Sequence, residues 1–395
     1  MIEYAAWPLT SARNRNIRGA TKSMPESGFK TENTKPVHVD LGDRSYEIRF
    51  YNQNLEALAA DVARWCHEKA LIVSNETIWK HHGPVLKQAM EKHGVAADHF
   101  LIDDGERYKT LESTSKVYDY LIEHRFGRKS CIIAFGGGVV GDLAGYAAAT
   151  FLRGVDFIQI PTTVVAMVDS SVGGKTGVDH PLGKNLIGAF HQPRLVAVDS
   201  AYLETLDHFN ICGGFAEVIK YGVIYDAKFF QFLEEQIADA IKLEKQSLQH
   251  VIRTSCAIKA EVVASDERET GLRAILNYGH TFGHAIESIS QYREKQFHGQ
   301  AVAMGMCCAN DLAIRMGLLD RSSANRIEDL IVRAGLPNRI PAGASAEEIW
   351  DRMHTDKKAS AGKLRFILPH AIGKVELHSD VEKHDLIEVI AGRIG

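Results

Sequence analysis

The sequence predicts an α/β amino-terminal half built on a mainly parallel sheet, Rossmann-like but with a non-standard nucleotide site, followed by a mainly α-helical carboxyl-terminal half. Three observations lead there. Short apolar runs alternate with helix-period segments from Val37 to Asp199; one such run enters Gly136-Gly137-Gly138-Val139-Val140-Gly141 and an Ala-rich helix; and helical periodicity takes over beyond Thr205-Leu206. Strands separated by helices need crossover connections and therefore pair in parallel. Such sheets take ligands at the carboxyl ends of their strands.

Taken in order, residues 1–35 are polar, carry Arg13, Arg15, Arg18 and Lys22 and lack a recurring apolar face, so a disordered extension is expected there. Val37, Val39 and Leu41, then Tyr46, Ile48 and Phe50, alternate about Gly42-Asp43 as a hairpin does. Leu55 to Trp65 has helical spacing, Ala70 to Val73 is a short buried strand, Ile78 to His93 is helical, and His99 to Ile102 is a strand. Thr110 starts a helix over Leu111 to His124. Cys131 to Phe135, Val155 to Ile160 and Leu195 to Asp199 are strands. The domain boundary is expected near residue 208, giving a sheet domain over 36–208 and a helical one over 209–395. Further on, Gly299 to Met316 has the composition of a buried helix, Ser345-Ala346-Glu347-Glu348 is a capping-box start, and Leu364 to Leu368 is strand-like.

Composition narrows the function. The 395 residues are 45% hydrophobic and 24% charged with a net charge of −4, long enough for two cores and without a field that would draw nucleic acid. No uninterrupted apolar run approaches the length of a membrane span. The six cysteines (Cys66, Cys131, Cys212, Cys256, Cys307, Cys308) are scattered and form no C-x-x-C pair, as expected of reduced core residues in a cytoplasmic protein.

Four stretches carry chemistry. In Leu276 to Glu287, His280 and His284 stand four apart on one helix face, and a chain returning at His298 could add a third imidazole. Spacing alone leaves open a metal site or two ordinary helical histidines. The strand ending at Phe135 and the glycines after it satisfy G-x-G-x-x-G, where backbone N–H groups and the helix dipole receive a pyrophosphate. The acidic residue a standard NAD domain needs at the end of the next strand is missing, since Asp156 begins its strand. Gly174-Lys175-Thr176 fails as a P-loop because Asp169 stands where the leading glycine belongs. Lys175, Lys184 and Asn185 instead fall in glycine-containing turns that suit a small phosphate or carboxylate. Glu217 sits among apolar neighbours on a helix, and a buried lone carboxylate needs a cation, which a metal would supply.

Together, Phe135 to Asp142, Asp169 to Pro193, Glu217 to Lys220, Lys259 to Arg273 and Leu276 to Glu287 resemble 3-dehydroquinate synthase, with similarity from Val37 to the carboxyl terminus in one order. The resemblance implies a divalent metal, zinc or alternatively cobalt, on Glu217, His280 and His298, with His284 moved to the substrate side. It implies NAD held by Asn75, Asp104, Gly105, Glu106, Lys109, Gly137, Gly138, Asp142, Thr162, Thr163, Lys175, Lys184 and Thr205. It places Asp169, Lys175, Lys184, Asn185, Lys220, Lys259, Arg273, Asn277, His284 and Lys357 or Lys358 around the substrate, in a cleft between the two domains. It implies a homodimer in which Arg153 reaches the neighbouring subunit's site.

The implied reaction turns 3-deoxy-D-arabino-heptulosonate 7-phosphate into 3-dehydroquinate and phosphate by transient oxidation, phosphate elimination, reduction and intramolecular aldol closure. A substrate with both phosphate and carboxylate accounts for clustered Lys and Arg in an acidic chain. Two positions depart from the family pattern: Gln300 stands where glutamate is usual, and Asn75 where aspartate is common. The alternatives are another sugar phosphate cyclase, a metal-dependent alcohol dehydrogenase of similar architecture, and a sugar-phosphate-binding regulator. Lys259 and Asn277, at positions that differ in related cyclases, imply the carboxylated substrate.

Overall fold

The computed structural model describes residues 35–289, 297–357 and 364–395; the expected extension lies outside them except for its last residue. Strands β1 (Val37–Val39) and β2 (Tyr46–Phe50) form the expected hairpin, with Val37 opposite Ile48. There follow α1 (Leu55–Ala63), β3 (Lys69–Asn75), α2 (Glu76–Lys92), β4 (Ala96–Ile102), α3 (Leu111–Glu123), β5 (Cys131–Gly136), α4 (Gly138–Thr150) and β6 (Asp156–Pro161). Asn54, Asn75 and Thr110 each accept the backbone N–H three residues on, which sets where α1, α2 and α3 begin. No side chain caps α4, so its first N–H groups point past the carboxyl end of β5.

The next segment departs from expectation. Lys175, Lys184 and Asn185 do not sit in turns: β7 (Lys175–His180) and β8 (Gly183–Phe190) form a separate antiparallel hairpin. Gly177 and Gly188 lie directly opposite each other, and a Cβ on Gly177 would stand 2.6 Å from the Ile187 carbonyl oxygen. These glycines let two backbones approach closely, so they mark strands and not turns.

Strand β9 (Leu195–Val198) returns to the main sheet, whose order is β1-β2-β9-β6-β5-β3-β4. Every pairing except β1 with β2 is parallel. The chain then becomes helical: α5 (His208–Ile224), α6 (Ala227–Ile241), α7 (Lys245–Ser265), α8 (His280–Ile289), α9 (His298–Arg315), α10 (Arg321–Arg333) and α11 (Ala346–Lys357). Ser345 Oγ accepts the Glu348 N–H at the start of α11. A second hairpin, β10 (Phe366–Ala371) with β11 (Lys374–His378), and α12 (Lys383–Arg393) complete the chain.

Apolar packing is divided by the sheet and not at residue 208. One cluster runs without a break from β1, α1 and α2 into the helical half, and a smaller one fills the other sheet face beneath α3 and α4. The two halves therefore share a core, which fixes the helices against the sheet. Contact is close past β6, where a Cβ on Gly214 of α5 would overlap the Val164 side chain. Among the described residues, no helix is long and apolar enough to cross a membrane.

Candidate active site and metal centre

Three helices bring Glu217, His280 and His298 together. His280 opens α8, His298 opens α9, and Glu217 lies midway along α5. Helix α9 approaches both others through glycine: a Cβ on Gly299 would overlap the Gly213 backbone of α5, and one on Gly305 would overlap the Gly279 carbonyl. His280 Nε2 stands 3.5 Å and His298 Nε2 3.6 Å from Glu217 Oε1. One ligand atom from each lies within 4.8 Å of the other two. The His280 and His284 rings meet edge to face with centroids 5.4 Å apart, and His284 lies 5.9 Å from His298, beside the trio.

The donor set fits a divalent ion. Both Glu217 carboxylate oxygens are fully buried; Oε2 meets the Lys220 ammonium and Oε1 faces the two imidazoles. Burial would raise this carboxyl, but Lys220 and His280, with His298 facing it, lower it to about 2. Burial and then Lys220 lower His280 to about 3, so its imidazole is neutral. Its Nδ1 lies 3.1 Å from the Tyr278 carbonyl, which holds the proton there and turns the Nε2 lone pair to Glu217. Burial opposes charge on His298, yet Glu217 and Glu287 outweigh it and push the imidazole up to about 10. Its Nδ1 is 3.3 Å from Glu287 Oε2. A proton between two carboxylates marks a place for a cation, and a metal would displace it.

Alternating charges lead away from this centre. Lys220 pairs with Glu217 and lies 3.8 Å from Asp169 Oδ1. That same oxygen accepts from Lys259 Nζ at 2.7 Å and from the Tyr221 hydroxyl at 2.6 Å. Burial opposes the Asp169 charge, but Lys259 and Lys220 hold the carboxyl well below its usual range. Burial pulls Lys259 down, with Asp169 resisting. Arg273 is almost fully buried and donates to the carbonyls of Glu267 and Gly173, so it anchors the loop ahead of β7.

Two carboxylates that the sequence did not single out engage the anion-binding candidates. Glu269 pairs with Lys175 and accepts from Asn277 Nδ2 at 2.8 Å. Glu287, three residues beyond His284, pairs with Lys184 at 2.8 Å. Carboxylates in polar stretches are ordinary surface residues, and only their neighbours in space distinguish these two.

On the sheet side, Lys109 is the organising residue. Its Nζ donates to Asn185 Oδ1 at 2.7 Å and pairs with Glu106 at 3.0 Å, Asp142 at 3.3 Å and Asp179 at 3.7 Å. Gly137 and Gly138 form the uncapped start of α4, and a Cβ on Gly137 would lie 3.1 Å from Thr163 Cγ2. Thr162 Oγ1 is buried without a partner beside them, a cradle that suits a pyrophosphate. Thr205 Oγ1 is 2.8 Å from His82 Nε2, a contact the sequence did not suggest.

Other candidates have different surroundings from those expected. Asn75 caps α2 and donates to Asp104 Oδ1 at 3.0 Å, so its carboxamide oxygen is already engaged, while Gly105 adopts a φ of 109° beside it. Gln300 does not face the metal ligands; its Nε2 donates to the Phe209 carbonyl at 3.0 Å, under the first turn of α5. Arg153 is exposed, with a left-handed φ of 69°, and makes no hydrogen bond or ion pair among the described residues. Lys357 and Lys358 lie outside the residues whose side chains are described.

Solved structures share this architecture. The 2-epi-5-epi-valiolone synthase of Streptomyces hygroscopicus, with NAD+ and Zn2+ bound, matches with a TM-score of 0.81 and 27% identity over 89% of this chain and 98% of that one. A 2-deoxy-scyllo-inosose synthase complexed with carbaglucose-6-phosphate, NAD+ and Co2+ matches with a TM-score of 0.83 and 26% identity over 91% and 100%. The fold is that of the sugar phosphate cyclases. The family described as 3-dehydroquinate synthase N-terminal matches residues 99–213, and its C-terminal counterpart matches 214–359. A 3-dehydroquinate synthase of Nostoc punctiforme is 46% identical over 362 residues, 91% of this chain and 99% of its own. The chain belongs to the 3-dehydroquinate synthase family, NAD- and divalent-metal-dependent phosphorus–oxygen lyases of the shikimate pathway.

Proposed function

We propose that this chain converts 3-deoxy-D-arabino-heptulosonate 7-phosphate into 3-dehydroquinate and phosphate where β5, β6 and the β7–β8 hairpin meet α5, α7 and α8. The observation that carries the reading is the Glu217 carboxylate, fully buried and faced through Oε1 by His280 and His298, with Lys220 on the same helix and Lys175, Lys184, Lys259 and Arg273 on neighbouring elements. When bound, NAD+ takes and returns a hydride while the divalent ion polarises hydroxyls of the sugar acid.

Glu217, His280 and His298 hold the ion, and Tyr278 and Glu287 orient the two imidazoles through their Nδ1 atoms. Lys175 and Lys184, with Asn185 on the same hairpin, receive an anionic group of the substrate, and Asn277 and His284 approach it from the helical side. Lys259 and Lys220 flank Asp169, which keeps both ammonium groups charged and aimed at one place; Arg273 holds the loop that presents Lys175. Lys357, or Lys358 after it, adds a cation. The start of α4, with Gly137 and Gly138, takes the cofactor pyrophosphate together with Thr162 and Thr163, and Asp142, an acceptor and not a phosphate donor, lines the cofactor beside Lys109. Asp104 through Lys109, Asn75 and Thr205 line the remainder, and Lys175 and Lys184 border both ligands.

Residues 36–208 form the cofactor domain and 209–395 the metal and substrate domain in this reading. Exposed Arg153, turned outward by left-handed backbone at Leu152 and Arg153, serves the neighbouring subunit of a homodimer. The enzyme acts in the cytoplasm.

The test is to supply the heptulosonate phosphate with catalytic NAD+ and a divalent metal, and to follow phosphate and NADH together. Phosphate release without net NADH is expected. Stoichiometric NADH would establish a dehydrogenase, and no turnover a binding protein. Loss of phosphate release in Arg153→Ala, restored by mixing with Lys175→Ala so that one intact site forms per heterodimer, would establish the shared site; failure of restoration would refute it.

A further inference from the structure

The β10–β11 hairpin braces the helices of the metal centre from behind. Gly373 N–H donates to the Val223 carbonyl near the end of α5 at 2.8 Å, and Thr281 Oγ1 of α8 donates to the Arg365 carbonyl at 2.9 Å. Phe366 packs on Phe282 of α8 with ring centroids 5.2 Å apart. The strand pairing slips between Pro369 and Ala371, which leaves His370 out of the ladder. Its ring turns to that of His378, with centroids 5.3 Å apart and planes within 21° of parallel.

The two Nε2 atoms are 3.0 Å apart, so both cannot carry a proton and at least one lone pair points into the space between them. Glu376 Oε2 lies 3.8 Å from His370 Nε2. The other carboxylate oxygen, Oε1, is engaged by Lys374 Nζ at 3.2 Å. One ligand atom from each of His370, Glu376 and His378 lies within 4.8 Å of the other two.

We propose that His370, His378 and Glu376 form a second divalent-metal site, separate from Glu217, His280 and His298, that takes an imidazole-preferring transition ion such as Co2+, Ni2+, Cu2+ or Zn2+. With metal–nitrogen bonds of about 2.05 Å, nitrogens at the observed spacing subtend about 95° at the ion, close to neighbouring octahedral positions. A tetrahedral ion would need them about 3.3 Å apart, a small opening of the hairpin. Two imidazoles and one carboxylate, with water in the remaining positions, suit this group of metals over Mg2+ or Ca2+. Lys374 opposes a cation, but its ammonium is largely exposed and screened, and it occupies the carboxylate oxygen turned away from the histidines. An ion here clips β10 to β11 without touching the substrate groups.

The experiment is equilibrium dialysis of the untagged full-length chain against saturating Co2+, comparing the natural sequence with the His370→Ala/His378→Ala double variant. Two ions per chain are expected for the first and one for the second, with phosphate release per chain unchanged. One ion in the natural sequence, or two in the variant, would overturn the site. A readout that needs no variant is the anomalous scattering of cobalt-loaded crystals of the natural sequence. A peak between His370 and His378 supports the assignment, and a peak only at Glu217 refutes it.

Discussion

Lys220 and Glu217, three residues apart on α5, form an ion pair whose side chains are only 2% and 0% exposed. Neither charge can be removed without stranding the other in a low-dielectric interior, although Lys220 retains Asp169 at 3.8 Å. Glu217→Gln is therefore expected to lose both metal and stability. Metal content by atomic absorption should fall well below one ion per chain, phosphate release by about 10³-fold, and unfolding free energy by about 3 kcal/mol. Full metal content in the variant would exclude Glu217 as a ligand.

Gly299→Ala tests the helix approach that brings His298 to Glu217. The added methyl would overlap the Gly213 backbone, so α9 must shift at the residue next to a metal ligand. Overpacking of this kind costs about 1–3 kcal/mol. The metal dissociation constant should rise at least tenfold, while a methyl at Gly317, where nothing lies within 4 Å but φ is 70°, should affect stability alone. Unchanged metal affinity in Gly299→Ala would show that the approach does not set ligand geometry.

Glu269 occupies Lys175 and Asn277, groups that an anionic ligand would engage. Glu269→Ala removes a negative charge from that position, so calorimetric titration with inorganic phosphate should give binding about three- to tenfold tighter, an effect that shrinks with added salt. Weaker phosphate binding would mean that Glu269 orients the two donors and does not compete with the anion.

Asn75→Asp keeps an oxygen to cap α2 but loses the amide that donates to Asp104, and brings two carboxylates together. NAD+ affinity, followed by fluorescence titration, should not tighten, and stability should fall by about 1 kcal/mol. Tighter NAD+ binding would show that the ribose contact outweighs this repulsion.

Burial raises the Asp142 carboxyl to about 6, with Lys109 opposing. A carboxyl raised in the folded state holds its proton where the unfolded chain has lost it, so its contribution is present at pH 4 and is lost as pH rises through about 6. Urea unfolding should show Asp142→Asn gaining about 2 kcal/mol on the natural sequence between pH 4 and pH 7. A difference independent of pH would mean that Lys109 fully compensates the burial.

The strand–helix alternation, the cap at Thr110 and the helix around Glu217 were legible because each follows from local spacing or local hydrogen bonding; the caps at Asn54 and Asn75 emerged only with the structure. Glu217 also announced its need for a cation, since a carboxylate among apolar neighbours must be neutralised; the structure supplies Lys220 one turn on and two imidazoles from other helices. Lys175, Lys184 and Asn185 were misplaced in turns because glycine marks both turns and close strand contact, and only the pairing of Gly177 with Gly188 separates the two.

What the sequence determined by itself is the periodic part of the protein: a parallel sheet followed by helices, a glycine-rich helix start, and basic groups concentrated in a chain of acidic balance. The tertiary structure decided which charges meet. His280 pairs with His298 around Glu217 while His284 stands aside, and Glu269 and Glu287 reach lysines from distant segments. The physical reason is range. Backbone propensity and side-chain period act over a few residues, whereas an ion pair or a ligand set requires only that atoms be close in space, and here that closeness is set by glycines letting α9 press against α5 and α8.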